Sequence, residues 1–264
     1  MNIGLIIIGD EILSGKRQDK HLPKVIELLG ARGLSLGWAR YVGDDRARIT
    51  EALAHAFASG DLVFSCGGIG ATPDDHTRQC AAAALGVPLE LHPEARTVIV
   101  ERMQDVAREQ GVSFEPDRAD NVHRLNMGVF PQGATLIPNP YNKIPGFQVG
   151  HVHFVPGFPV MAWPMIEWVL DTRYAGLHGT SKSRERSLIV FGAMEATLTP
   201  LMEQIEAQHP GVKVFSLPSV DHPQYGRHIE LGVKSTGASL EGAFQMLHDG
   251  LTQLGANMGP ELVR

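Results

Sequence analysis

Unbroken apolar runs alternate along the chain with stretches whose apolar positions recur every third or fourth residue. Ile3–Ile8 is apolar throughout, the pattern of a strand covered on both faces. After a loop, 9–19, His21–Arg32 carries Leu22, Val25, Ile26 and Leu29 at helical spacing and stops at Gly33. The pattern continues with a strand at Leu34–Val42, a helix at Asp45–Ser59, a strand at Asp61–Ser65 and a helix at Asp74–Leu85 closed by Gly86. Such β-α-β alternation predicts an α/β fold: a three-layer, mostly parallel sheet with helices on both faces. Helical segments are expected over Leu91–Gly111, Asp117–Met127 and Val160–Leu170. Short strands are expected at Ala134–Pro138 and His151–Val155, around the turn-rich Pro138–Gly146.

The pattern changes near Tyr174. A Gly/Ser/Thr-rich stretch reads as a linker over 175–186. Beyond it, strands at Ser187–Gly192, Val212–Leu217 and His228–Val233 and helices at Thr199–Gln208 and Ser239–Leu254 predict a small α+β C-terminal domain, 187–264, after a first domain, 1–174.

Composition narrows the function. With 43% hydrophobic and 20% charged residues, the 264-residue chain is an ordinary globular one. A net charge of -6 argues against nucleic acid as the partner. No apolar run approaches the ~20 residues of a membrane helix, and the apolar N-terminus lacks a basic leader, so a buried strand is expected there and no signal peptide. Cys66 and Cys80 fit no zinc or redox spacing, and a reduced, cytoplasmic setting follows.

The chemistry concentrates at Ser65-Cys66-Gly67-Gly68-Ile69-Gly70-Ala71-Thr72-Pro73-Asp74-Asp75. Ligands of open parallel sheets bind beyond the carboxyl ends of the strands, where this loop falls. Gly67, Gly68 and Gly70 let main-chain amides approach an anion, and the next helix would point its N-terminus at the same spot. A structural alternative stands beside this one: Thr72 as N-cap, Pro73 as first helical residue and Asp75 as the acid of a capping box. Adjacent acids beside a phosphate also suit Mg²⁺, which binds through one or two carboxylates plus phosphate oxygens, so Asp74 and Asp75 are candidate metal ligands. Asp10–Glu11 and Asp44–Asp45 follow the first and second strands and should reach the same rim. Each is also a candidate helix cap or loop acid.

Gly9-Asp10-Glu11-Ile12-Leu13-Ser14-Gly15, Val42-Gly43-Asp44-Asp45, the 67–77 loop, Asn139-Pro140 with Pro145-Gly146-Phe147, and Val155-Pro156-Gly157-Phe158-Pro159 occur in that order. Together they resemble the molybdopterin-binding domain of the MoaB/Mog proteins, and in particular the N-terminal part of the competence/damage-inducible CinA proteins, over about 1–172. The segment from Ser187 is similar to the small domain that follows in CinA proteins. The chain ends at Arg264, before their amidase domain, and that activity is not expected here. The resemblance implies that Asp44 and Asp75 carry the chemistry. It places Gly9, Asp10, Glu11, Ser14, Gly67, Gly68, Ile69, Gly70, Thr72, Asn139, Lys143, Gly146, Pro156 and Gly157 at the ligand. It implies molybdopterin, or a nucleotide such as ADP-ribose cleaved with a divalent metal, as that ligand, and a homo-oligomer. The chain departs from the family at Cys66 (usually Thr), Ala71 (usually Pro) and around Asp19-Lys20 (usually an Asn).

Other features read more plainly. Cys66 is expected to be a buried strand-end thiol rather than a nucleophile, since no base accompanies it. His151 and His153 share a strand face but lack a third ligand, and surface histidines are expected. Lys143 reads equally as a phosphate contact or a solvated lysine. Met161, Trp163 and Met165 are expected to pack, and Lys182, Arg184 and Arg186 to form a solvated basic cluster. Three functions remain open: a molybdopterin-binding protein, with molybdenum cofactor biosynthesis as its setting; a divalent-metal-dependent nucleotide pyrophosphatase; or a non-catalytic oligomeric scaffold.

Overall fold

The computed structural model describes residues 2–180, 184–235, 237 and 239–264. The chain divides into two compact units, Met1–His178 and Gly179–Arg264.

The first unit begins with β1 (Ile3–Ile8), buried at every residue, followed by a short α1 (Asp10–Leu13), α2 (His21–Ala31), β2 (Trp38–Val42), α3 (Arg46–Ser59) and β3 (Leu62–Cys66). Then come α4 (Thr77–Leu85), β4 (Leu89–Leu91), α5 (Pro93–Glu109), α6 (Ala119–Leu125), β5 (Val129–Pro131), β6 (Thr135–Ile137), β7 (Gly146–Val149), β8 (Val152–Val155) and α7 (Pro159–Arg173). The main sheet has the order β2-β1-β3-β8-β7-β6. β2, β1, β3 and β8 run parallel; β7 and β6 close the edge antiparallel.

Side-chain alternation on the central strands builds two cores. Ile6, Ile8, Val63 and Phe154 face one way and meet Ile49, Leu53, Ala81 and Ile99 of α3, α4 and α5. Ile3, Leu5, Ile7 and Phe64 face the other way and meet Val25, Leu29, Ile166 and Val169 of α2 and α7. Both faces are covered, which is why β1 and β3 read as continuous apolar runs. Phe147 bridges two rings of the first core, with centroids 4.3 Å from Phe154 and 4.6 Å from Phe130. Met165 is fully buried and Met161 and Trp163 pack against the second core, as expected of them.

The second unit runs β9 (Arg184–Phe191), α8 (Glu195–Gln208), β10 (Lys213–His222), β11 (Gly226–Ser235), α9 (Leu240–Gln253) and β12 (Asn257–Val263). Its sheet, β10-β11-β9-β12, is antiparallel throughout. Leu188, Val190, Leu231 and Val233 form its core with Leu198, Ile205, Leu247 and Leu251 of the helices. β9 starts inside the stretch read as linker. Arg184 and Arg186 belong to that strand and pair with Glu241, and Arg186 also pairs with Glu261, so they are not a solvated cluster. Lys182 lies outside the described residues.

Several boundaries move. The helix expected from Asp74 begins at Thr77, because Pro73 and Asp74 form a turn ahead of it. β4, β5, β7 and β12 were not expected. His153 is not on the surface: it is fully buried, its Nδ1 3.2 Å from the Val63 carbonyl oxygen and its ring 5.3 Å from Phe64. His151 is exposed. The two do not share a strand face: His151 lies in the turn before β8 and only His153 is in the strand.

Burial holds the His153 imidazole neutral, with its pKa lowered to about 3. A lowered histidine pKa contributes stability above its unfolded value near 6.5, and that stability is lost as pH falls toward 3. The wild-type chain should therefore lose about 2 kcal/mol more than His153→Phe between pH 7 and pH 5, measured by urea unfolding of the first unit's signal. Parallel pH dependence in both chains would refute this.

Candidate functional site

The site grows from the end of β3. Gly67 has φ 109°, and a Cβ there would sit 2.3 Å from the Ile8 carbonyl oxygen. Gly68 has φ 68°, and a Cβ would sit 2.2 Å from Thr77 Oγ1. Only glycine fits both conditions. The loop's carbonyls turn inward: Thr77 Oγ1 donates to Gly67 at 3.1 Å, the Thr77 amide to Gly68 at 3.0 Å, and Arg78 to Gly70. Among the described residues, the amides of Gly68, Ile69, Gly70 and Ala71 donate to no protein acceptor. Inward carbonyls and outward amides make a concavity that attracts anions. Arg78 lies beneath it, buried and bonded to the Gly70 and Asn126 carbonyls. Burial lowers the pKa of this guanidinium, yet an arginine keeps its charge, so positive potential backs the loop.

Thr72 and Asp75 close a turn of their own. The Asp75 carboxylate accepts from the Thr72 amide at 2.9 Å and from its hydroxyl, and the Asp75 amide donates to the Thr72 carbonyl. The bond from the Thr72 amide to the Asp75 carboxylate is one half of a capping box; the other half does not form, because the Thr72 hydroxyl donates to that carboxylate and the Asp75 amide goes to the Thr72 carbonyl, and the turn precedes the helix. Asp75 is thereby locked against the loop, 2.5 Å from where a Gly70 Cβ would stand.

The acids do converge. Asp10 and Asp44 brace one another: the Asp10 amide donates to Asp44 Oδ2 at 2.8 Å and the Asp44 amide to Asp10 Oδ1 at 3.1 Å. Burial first, then the charges of Asp10, Glu11 and Asp74, raise the Asp44 pKa against the bonds it accepts. Asp45 stands apart as the N-cap of α3, accepting from the Arg48 amide at 2.9 Å. Among the described residues, no group of three or more His, Cys, Asp or Glu is disposed to hold a metal ion. A preformed cage is thus absent there. A crowded set of carboxylates beside an anion-binding loop suits a cation that arrives with phosphate oxygens.

A cleft of about 290 Å³ opens beside this rim. Ile7, Ile8 and Cys66 line it with Glu11, Ile12, Arg17, Lys20, His21 and the Gly157-Phe158-Pro159 turn. Gly157 approaches within 3.5 Å of Gly67 Cα at its Cβ position, which joins the two loops. Burial pushes the Cys66 thiol far up, so it is no nucleophile. Asp19, just ahead of α2, accepts from the His21 and Leu22 amides and from the Tyr41 hydroxyl; partial burial first, and then this bond, raise the Tyr41 pKa to about 12.

Other residues that the resemblance placed at the ligand also have structural roles. Asn139 is buried, and its side chain bonds Asn142, the Ile144 carbonyl and the Tyr141 amide, shaping the 139–144 turn. Lys143 is exposed, as a solvated lysine is expected to be, and it pairs with Asp105 at 2.6 Å while its backbone sits at φ 64°. Gly146 is a packing glycine, its Cβ position 2.3 Å from the Phe154 carbonyl oxygen. Ser14 is exposed at the end of α1, and Ile69 belongs to the first core. Gly9 passes its amide to Val42 at 3.0 Å, tying β1 to β2. Pro156 only carries the chain from β8 to Gly157. Sequence reasoning missed Arg17, His21, Thr77 and Arg78. A buried arginine directly after a helix-opening threonine was the available sign.

Comparison with known proteins agrees with this geometry. Residues 4–175 match the family described as a probable molybdopterin binding domain. The chain belongs to that family. A CinA-like protein of Anaeromyxobacter dehalogenans is 37% identical over 175 residues, covering 64% of this chain and 40% of the relative. A CinA-like protein of Geobacter sulfurreducens is 29% identical over an alignment of 272 positions, covering 100% of this chain and 61% of the relative. The chain thus spans 40% and 61% of these two curated relatives. The crystal structure of the protein CinA from Thermoplasma acidophilum matches with a TM-score of 0.53 at 27% identity, covering 64% of this chain and 96% of that one. No helix among the described residues is long and apolar enough to cross a membrane.

The crowded acids carry a stability consequence. A raised carboxyl pKa means that charge at Asp44 opposes folding at neutral pH, an effect that fades as pH falls through the raised Asp44 pKa and is gone below the unfolded value of about 3.9. Asp44→Asn keeps an acceptor for the Asp10 amide and removes that charge. The ligand-free variant should melt about 2 °C higher than wild type at pH 7 and equal it near pH 3. A lower melting temperature at pH 7 would contradict the reading of Asp44 as an uncompensated charge.

Proposed function

We propose that this member of the molybdopterin-binding family holds a phosphorylated pterin of the molybdopterin type, with its phosphate on the amides of Gly68–Ala71. The observation that carries this reading is the set of unpartnered loop amides above the buried Arg78. A phosphate there would complete hydrogen bonds that the protein leaves open. Thr77 and Arg78 hold the loop's carbonyls back, so the amides need not reorganise when the anion arrives. Asp75, fixed by Thr72, stands at the edge of the phosphate position, and Asp44 stands across the rim with Asp10. In this reading Asp75 and Asp74 would hold Mg²⁺ or another divalent ion that arrives with the phosphate, and Asp44 would orient the reacting group. The ion supplies neutralisation of phosphate charge. A place in molybdenum cofactor biosynthesis and self-association into a homo-oligomer belong to the same proposal.

A second reading is favoured by the raised pKa of Asp44 beside Asp10, Glu11 and Asp74. Carboxylates this crowded suit a diphosphate that brings a divalent cation. The reaction would be hydrolysis of a nucleotide diphosphate such as ADP-ribose: water adds to one phosphorus, the bridging P–O bond breaks, and AMP and ribose 5-phosphate leave. Asp44 would take the water's proton.

Thermal melting with molybdopterin, ADP-ribose and AMP, each with and without Mg²⁺ or Co²⁺, tests both readings. A hundredfold excess over Kd raises stability by ~2.7 kcal/mol. A shift with molybdopterin alone supports the first reading. No shift with any phosphate ligand overturns both and leaves a non-catalytic scaffold. Chromatographic appearance of AMP from ADP-ribose, lost in Asp75→Ala, supports the second; AMP formation that survives the substitution removes Asp75 from the reaction.

A further inference from the structure

The cleft beside the glycine loop contains a polar group that the protein itself leaves unused. His21 is only 5% exposed, and its Nε2 lies 2.9 Å from the Gly157 carbonyl oxygen. A carbonyl oxygen only accepts, so Nε2 carries the proton. In the neutral ring the remaining nitrogen, Nδ1, therefore holds a lone pair. That nitrogen is buried and has no hydrogen-bond partner. A buried acceptor left open is unfavourable, and it stands on a residue that walls the cleft. The ring cannot turn freely to satisfy it. The Nε2 bond anchors one end, and the Asp19 carboxylate holds the His21 amide at 2.7 Å at the other.

A second group points the same way. Phe158, next to Gly157, lines the cleft with 55% of its surface exposed. An exposed ring beside an apolar floor of Ile7 and Ile8 offers a stacking face for a flat heterocycle. The phosphate loop lies one residue contact away, through the approach of Gly157 to Gly67.

We propose that His21 Nδ1 accepts a hydrogen bond from an amino group on the ligand's aromatic heterocycle, which stacks on Phe158 while its phosphate lies on the glycine loop. His21 then determines specificity, selecting an amino-substituted ring over the same ring without its donor. This rests on the phosphate-binding reading above and adds the identity of the ligand's other end.

The test uses the full chain and calorimetric titration with three probes: AMP, purine riboside 5′-monophosphate, which lacks the amino group, and ribose 5-phosphate, which lacks the ring. Wild type should bind AMP about tenfold more tightly than purine riboside 5′-monophosphate, the worth of one hydrogen bond to an otherwise open acceptor. His21→Ala and His21→Asn should both lose that preference while keeping the wild-type affinity for ribose 5-phosphate. Phe158→Ala, a change at an exposed side chain, should weaken both ring-bearing probes and spare ribose 5-phosphate; it keeps the test valid if the His21 variants do not fold. Equal binding of the two purine probes by wild type overturns the proposal and leaves the phosphate reading intact, as does a preference that persists in both His21 variants. Binding of ribose 5-phosphate alone also overturns it. Failure of all three probes overturns the phosphate reading, and this proposal with it.

Discussion

The ligand edge of the first unit depends on one backbone-on-backbone approach. Gly67 crosses the end of β1 so closely that the Ile8 carbonyl occupies the space of a side chain. That contact fixes where β3 must turn, and the turn fixes which way the next peptides face. Thr77 and Arg78 then take up the carbonyls, and the amides are left toward solvent. Gly157, from the loop after β8, packs on the same Gly67 Cα. Three strand ends are thereby locked together, and the anion-binding concavity is a by-product of how tightly they meet. Side chains at 67 or 68 would disturb the sheet's edge before they touched any ligand.

The parts of this arrangement that were legible in the sequence are those with a period or a steric reason. β1 and β3 are continuous apolar runs because helices cover both faces, and Asp45 and Gly60 mark the ends of α3 by their capping chemistry. Paired glycines after a buried strand announced a close approach. What could not be read depends on tertiary partners. β7 opens with Gly146 at the end of a turn-rich stretch and becomes a strand only by pairing with β8. Thr72-Pro73-Asp74-Asp75 has the residues of a capping box, but only its bond from the Thr72 amide to the Asp75 carboxylate forms, and the helix waits until Thr77, whose amide is bound to Gly68. Lys143 found Asp105 on a distant helix, and His153 vanished beneath Tyr174 and Phe64. Asn139 and Gly146, which the family resemblance placed at the ligand, have scaffold roles that the sequence did not announce.

The second unit solves a different problem. Its antiparallel sheet buries one face under α8 and α9, and its inner strand β9 is nevertheless buried at four consecutive residues, Ser187 to Val190. Arg186 shows how the covered face ends: the guanidinium lies over the Phe244 ring at 3.9 Å and reaches Glu241 and Glu261 with its nitrogens. A long cationic side chain thus seals the core while keeping its charge toward water. β12, at one edge of this sheet, combines a proline and a glycine with few apolar residues, and it pairs with β9 across a register shift.

The mutual brace of Asp10 and Asp44 holds the ends of β1 and β2 together with groups that repel one another, beside the bond from the Gly9 amide to the Val42 carbonyl. A bound cation and phosphate would convert the same contacts from opposition to support. The unliganded chain is then the more fragile form, opening more often at the sites where proteases attack. In a cell, the lifetime of this protein would follow the supply of its ligand: scarcity would thin its ranks without any change in its gene, and abundance would restore them.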